Sequence, residues 1–147
     1  MVMLTTLALL ISLMPGAELA AADQEVDVEL VLAVDVSGSM DLEEAQVQRA
    51  GYVDALRHPE FIDAVRDGLT GRIAISYFEW AGTIRDNSLV SWQIISGPED
   101  ANAFAAQLEA RPIATRRGTS ISGAIVYGAQ LFDGNGYSGL RRVIDVS

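Results

Sequence analysis

The sequence predicts an α/β domain: a Rossmann-like, mostly parallel central sheet with helices on both faces and one antiparallel hairpin strand. Three observations carry this expectation. Residues 28–35 form a nearly continuous apolar run, the mark of a strand buried on both faces. Strand-like and helix-like segments alternate after it. Turn signals at Ala81-Gly82 and Asp86-Asn87 separate two strand-like runs, which reads as a hairpin.

The elements follow in order. Ser37-Gly38-Ser39 breaks the first strand. Residues 42–57 read as a helix in which Leu42, Ala45, Tyr52, Val53 and Leu56 share a face. Glu43 and Glu44 sit in its first turn, where the helix dipole favours them, and His58-Pro59 ends it. Residues 61–69 read as a short second helix, stopped by Gly68 and Gly71. Residues 72–80 read as a strand, with Ile73, Ile75 and Tyr77 on one face and Ala74, Ser76 and Phe78 on the other. Residues 88–95 form the hairpin partner. Pro98 opens a helix with Glu99 and Asp100 in its first turn and Ala101, Phe104, Ala105 and Leu108 as its apolar stripe. Residues 111–118 form a loop, and Thr119 or Ser120 caps the next helix. Its stripe is Ile121, Ala124, Ile125, Gly128, Leu131 and Phe132. Asp133-Gly134-Asn135-Gly136 ends that helix, and residues 142–146 begin a last strand.

Composition narrows the function. The chain has 147 residues, 20 acidic and 10 basic, for a net charge of −10. That length suits one domain. The acidity argues against nucleic-acid binding, which needs a basic face. The absence of cysteine excludes disulfides, thiolate metal sites, cysteine catalysis and a lipidated cysteine. Residues 4–14 are apolar but too short for a membrane span. Pro15-Gly16 follows, and Ala20 and Ala22 fit a signal-peptidase site with cleavage before Asp23. We therefore expect a signal peptide over residues 1–22, one domain over residues 23–147, and a periplasmic or secreted protein that meets the membrane only through that peptide.

One constellation carries chemistry. Asp35-Val36-Ser37-Gly38-Ser39 follows a buried strand and precedes a helix, at the sheet edge where α/β proteins bind ligands. Asp35, Ser37 and Ser39 alternate, so a partly extended loop points them at one spot, and Gly38 lets the backbone bend around it. Thr119 offers a further hydroxyl from a second loop placed at the same edge. An acid at a strand tip is costly to bury unless something offsets it, and a cation does. Oxygen donors suit Mg²⁺ or Mn²⁺ rather than zinc.

Val34-Asp35-Val36-Ser37-Gly38-Ser39-Met40 resembles the first motif of a von Willebrand factor type A domain with its metal-ion-dependent adhesion site. Thr119, in Arg117-Gly118-Thr119-Ser120, is similar to the second. Segments 71–82 and 141–147 are similar to an exported bacterial branch of unassigned function, and the resemblance runs over residues 25–147. It implies that Ser37, Ser39 and Thr119 coordinate the ion directly, that Asp35 acts mostly through a water, and that one position stays open for a Glu or Asp carboxylate of a protein partner. It also implies a third motif, an aspartate after the fourth strand. In the narrower branch that motif follows directly on Ile-Asp-Val-Ser as Gly-Asp-Gly. The sequence stops at Ser147, so an N-terminal fragment is expected, truncated before the third metal-site motif.

The implied function is divalent-cation-dependent protein binding, with no small-molecule substrate and no catalysis. Two alternatives stay open. One is a structural domain of the same type with a degenerate site. The other is a Mg²⁺-dependent phosphoryl-transfer enzyme using Asp35, although Ser37 stands where a second acid is wanted and the chain has no lysine. Asp145 lies too early in its strand for the sheet edge and reads as a strand residue paired with Arg141 or Arg142. His58 reads as a helix-terminus residue, and Trp80 and Trp92 as packing. Arg111, Arg116 and Arg117 stand where they could draw an acidic ligand, but read first as a solvated loop with salt bridges.

Overall fold

The computed structural model describes residues 22–38 and 41–147. The expected signal peptide falls outside them except for Ala22. Four strands form one sheet: β1 (Gln24–Asp35), β2 (Ile73–Trp80), β3 (Val90–Ile95) and β4 (Tyr137–Val146). Their order is β3-β2-β1-β4. β1 runs parallel to β2 and to β4, and β2 pairs antiparallel with β3 across an irregularity between Ile75 and Tyr77. The expected fold class holds, hairpin strand included. β1 begins at Gln24 and β4 at Tyr137, both earlier than the apolar runs suggest. Their first halves are paired to each other by ladder hydrogen bonds, and in β1 the side chains of Val26 and Glu29 are buried there as well.

The helices are α1 (Leu42–Arg57), α2 (Pro59–Arg66), α3 (Pro98–Glu109) and α4 (Ile121–Gln130). The β1 alternation sorts the core. Leu32 and Val34 join Ile73, Ile75, Tyr77 and the buried sides of α1, α2 and α3 on one face. Val31 and Ala33 join Phe78, Trp80 and Ala124 on the other. Asp41 opens α1 with a reciprocal capping box: its carboxylate accepts from the Glu44 N–H at 2.8 Å, and Glu44 reaches back to the Asp41 N–H at 2.9 Å. His58 ends α1 and caps α2, its Nδ1 accepting from the Glu60 N–H at 3.2 Å. That helix starts two residues before the expected position, because Pro59 is preorganised for a first turn.

The α3 stripe is buried as expected. On α1, Leu42 stays exposed. On α4 the expected stripe is rotated. Ala124 and Gly128 face the sheet while Ile121 and Ile125 remain exposed. A methyl group on Gly128 would stand 3.3 Å from the Ile144 side chain, so the small residues mark the closest approach to β4. Among the described residues no helix is long and apolar enough to cross a membrane.

Candidate metal centre

Asp35 closes β1 between the ends of two neighbours. Its N–H donates to the Ser147 carbonyl at 2.7 Å, and the next N–H, that of Val36, donates to the Trp80 carbonyl at 2.9 Å. The chain then turns back, with the Asp35 Oδ1 accepting the Ser37 N–H at 2.6 Å. This is an Asx turn, the use of aspartate that lets a strand end abruptly. Ser37 is 4% exposed and pairs in parallel with Arg116, whose N–H donates to the Val36 carbonyl at 2.9 Å. The loop after α3 therefore lies against the loop after β1. A Cβ on Gly38 would stand 3.2 Å from the Arg116 carbonyl oxygen, so a side chain there would press the two backbones apart.

The same loop is fastened to the end of β2. The Ser120 N–H donates to the Ala81 carbonyl at 2.8 Å. Gly118 adopts φ +85°, and a Cβ on it would meet the Gly82 Cα at 2.9 Å. Glycine is required twice over, by backbone conformation and by space. Thr119, exposed, lies between these two anchors, while Ser120 is the residue that caps α4, accepting from the Gly123 N–H at 3.2 Å. Asp35, Ser37 and Thr119 thus belong to loops joined at one end of the sheet. Ser39 lies outside the described residues.

Among the described residues no group of three or more His, Cys, Asp or Glu could hold a metal. An ion here would meet hydroxyl oxygens and one carboxylate. That donor set fits a hard divalent cation such as Mg²⁺ or Mn²⁺, and it fits no soft one.

Behind these loops stands a buried ionic cluster that sequence reasoning missed. Glu79 of β2 is 1% exposed and forms ion pairs with Arg49 of α1 and Arg85 of the β2–β3 loop. Arg49 also donates to the Leu108 carbonyl at 2.6 Å and lies 5.7 Å from the centre of the Tyr77 ring. Tyr77 donates its hydroxyl to Glu79 at 3.0 Å. Burial first, then the neighbouring Glu79 charge, pushes the Tyr77 phenol far above its ordinary value and keeps it a donor. Arg85 reaches the Ala114 carbonyl at 3.4 Å. One carboxylate thereby ties α1, the β2–β3 loop and the loop that leads to Thr119. A signal was present in the sequence: an acid inside an apolar strand, and an arginine four residues after Ala45 on the buried stripe of a helix.

The other candidates have structural places. The register sets Asp145 opposite Leu32, three residues short of Asp35, about 10 Å down the strand. The expected pairing of Arg142 with Asp145 is replaced by an ion pair with Glu29 at 3.2 Å. Arg142 projects to the α4 face, where Glu29 lies, because side chains alternate along β4. The Trp80 indole donates to the Ala33 carbonyl and the Trp92 indole to that of Leu131, both from packed positions. Arg111 donates to the Asn87 carbonyl at 3.1 Å rather than to an acid.

The family model described as protein of unknown function (DUF1194) matches residues 25–147, and the chain belongs to that family. No curated protein matches the sequence. Among solved structures, the chain is similar to the vWF domain of the type V pili tip protein Mfa5 from Porphyromonas gingivalis, with a TM-score of 0.51 at 15% identity. The match covers 84% of this chain and 37% of that one, so the chain spans little more than a third of that neighbour's length. The fold is of the von Willebrand factor A type.

Proposed function

We propose that this DUF1194 member is a binding domain that holds a divalent cation, Mg²⁺ or Mn²⁺, at the end of its sheet and docks a protein partner through it. Asp35, Ser37, Ser39 and Thr119 would hold the ion. Because hydroxyl ligands leave its charge largely unneutralised, a bound ion supplies an electrophile for a Glu or Asp carboxylate of the partner. The chain's own residues do the positioning. Asp35 turns the loop through the Ser37 N–H, and Gly118 packs on Gly82 to carry Thr119 to the same sheet end. The observation that carries this reading is the pairing of Ser37 with Arg116, which joins the two hydroxyl-bearing loops next to the Asp35 carboxylate.

The vWF neighbour is a domain of a pilus tip protein, which agrees with a binding rather than a catalytic role. The segment over residues 1–22 fits export, which would place binding in the periplasm or outside the cell.

The test is thermal unfolding of the protein in EDTA and in excess Mg²⁺. An ion bound only by the native state stabilises it by about 2.7 kcal/mol at a hundredfold excess over Kd. We expect Tm to rise with Mg²⁺ in the native chain and to stay constant in Asp35→Ala. An equal rise in both proteins would remove Asp35 from the site and with it this reading.

A further inference from the structure

Next to the metal loops lies an open cleft of about 710 Å³, lined by Thr83, Ile84, Arg85, Asn87, Arg116 and Tyr127. We propose that this cleft is a carboxylate subsite for an acidic segment of a protein partner. That its occupant belongs to the same partner whose carboxylate meets the ion rests on the function proposed above.

Four observations point to an anion. The chain as a whole is acidic, yet Arg85 and Arg116 line the cleft, Arg49 shares Glu79 with Arg85 behind it, and Arg111 donates to the carbonyl of the lining Asn87. The buried cluster behind the cleft is not neutral, since two guanidinium groups share the single Glu79 carboxylate. Among the described side chains and backbone, the other acceptors of these arginines are the carbonyls of Leu108, Arg111 and Ala114, which carry no full charge. A surplus buried cation is unfavourable unless a counter-charge approaches it. Arg85 is 6% exposed, forms part of the cleft wall, and has a buried Nε with no hydrogen-bond partner. Buried donors are rarely left so, and an unsatisfied one marks a site whose polar contacts are incomplete.

The lining chemistry completes the argument. Thr83, Asn87, Arg116 and Tyr127, which line the cleft, all carry hydrogen-bond donors. Arg116 links the two places. Its backbone is paired with Ser37 and the residue lines the cleft, so a segment seated in the cleft lies next to the loop after β1. Arginine suits the task because its planar fork binds carboxylates bidentately.

The test uses a hexaglutamate peptide and the whole chain, titrated by calorimetry in EDTA and in Mg²⁺. We expect binding in EDTA that Arg116→Ala weakens about tenfold, the loss of one charge-assisted hydrogen-bonded contact. Arg141→Ala, on β4 opposite Val28 and about 20 Å from the sheet end, should leave it unchanged. Mg²⁺ should tighten binding in the native chain and in Arg116→Ala, but not in Asp35→Ala. No binding in EDTA, or equal weakening by Arg116→Ala and Arg141→Ala, overturns the subsite. Binding that depends on Arg116 but ignores Mg²⁺ supports the subsite and removes the metal reading instead.

Discussion

The two ends of the central strand treat their acids in opposite ways. At the N-terminal end Asp27 is saturated: it accepts from the Thr70 N–H at 2.9 Å, the Thr70 hydroxyl at 2.9 Å and the Arg72 N–H at 3.4 Å. Two residues on, Glu29 is fully buried and accepts from the Asn135 amide at 2.7 Å, the Gly139 N–H at 2.8 Å and Arg142. These carboxylates fasten loops and strands distant in sequence, and their donors are mostly neutral. At the C-terminal end Asp35 accepts the Ser37 N–H at the mouth of two joined loops, and Glu79 behind it is outnumbered by its arginines. One end is closed by its own donors. The other holds an aspartate in a turn between two joined loops, with a carboxylate outnumbered by arginines behind it.

The sharpest way to break this contrast is to remove the two buried acids in turn. Glu79→Ala strands two buried guanidinium groups and should destabilise the protein by about 3–5 kcal/mol. Glu29→Ala leaves mainly neutral donors unpaired and should cost about 1–3 kcal/mol. Urea midpoints at constant m measure both, and equal losses would mean that the two ends are not electrostatically different.

A smaller effect sharpens the geometry of the open end. Gly118→Ala forces a side chain into a left-handed conformation and against Gly82, and should cost about 1–3 kcal/mol. If the loop positions Thr119, the Tm rise with Mg²⁺ should also shrink. Loss of stability with a full Mg²⁺ response would separate the glycine contact from the ion.

The smallest effect concerns the closed end and is read against pH. The Thr70 N–H foremost, with its hydroxyl and the N–H of Arg72 and partly opposed by desolvation, holds the Asp27 carboxyl below its ordinary value of 3.8. The folded pKa thus lies below the unfolded one. Its contribution is present in full above the unfolded value and is lost as pH falls through the folded one. Asp27→Asn should flatten the acid limb of the stability curve while leaving the Mg²⁺ response at pH 7 intact.

Much of the fold was legible in the sequence because periodicity reports burial directly. The bounds of α1, the stripe of α3 and the two faces of β2 follow from spacing alone. The stripe of α4 did not, because hydropathy favours Ile121 and Ile125, whereas close packing on Ile144 favours Ala124 and Gly128. Of the candidate site, Asp35 and Ser37 were legible as a strand-end motif, and Thr119 as a hydroxyl beside a glycine. The arginine–glutamate cluster was not read, since its members are 30 and 6 residues apart and each alone looks like a misplaced charge.

The sequence by itself determined the alternation of strands and helices, the buried central strand and the hydroxyl-rich break after Asp35. These are local matters, set by side-chain period and by the conformational reach of glycine, serine and proline. Only the tertiary structure decided that the loop before Thr119 pairs with Ser37, that Arg49 and Arg85 converge on Glu79, and that Arg116 lines a cleft next to the loop after β1. The physical reason is that distant segments meet where the parallel strands end. There the backbone still seeks partners, and charges too costly to bury singly become tolerable together.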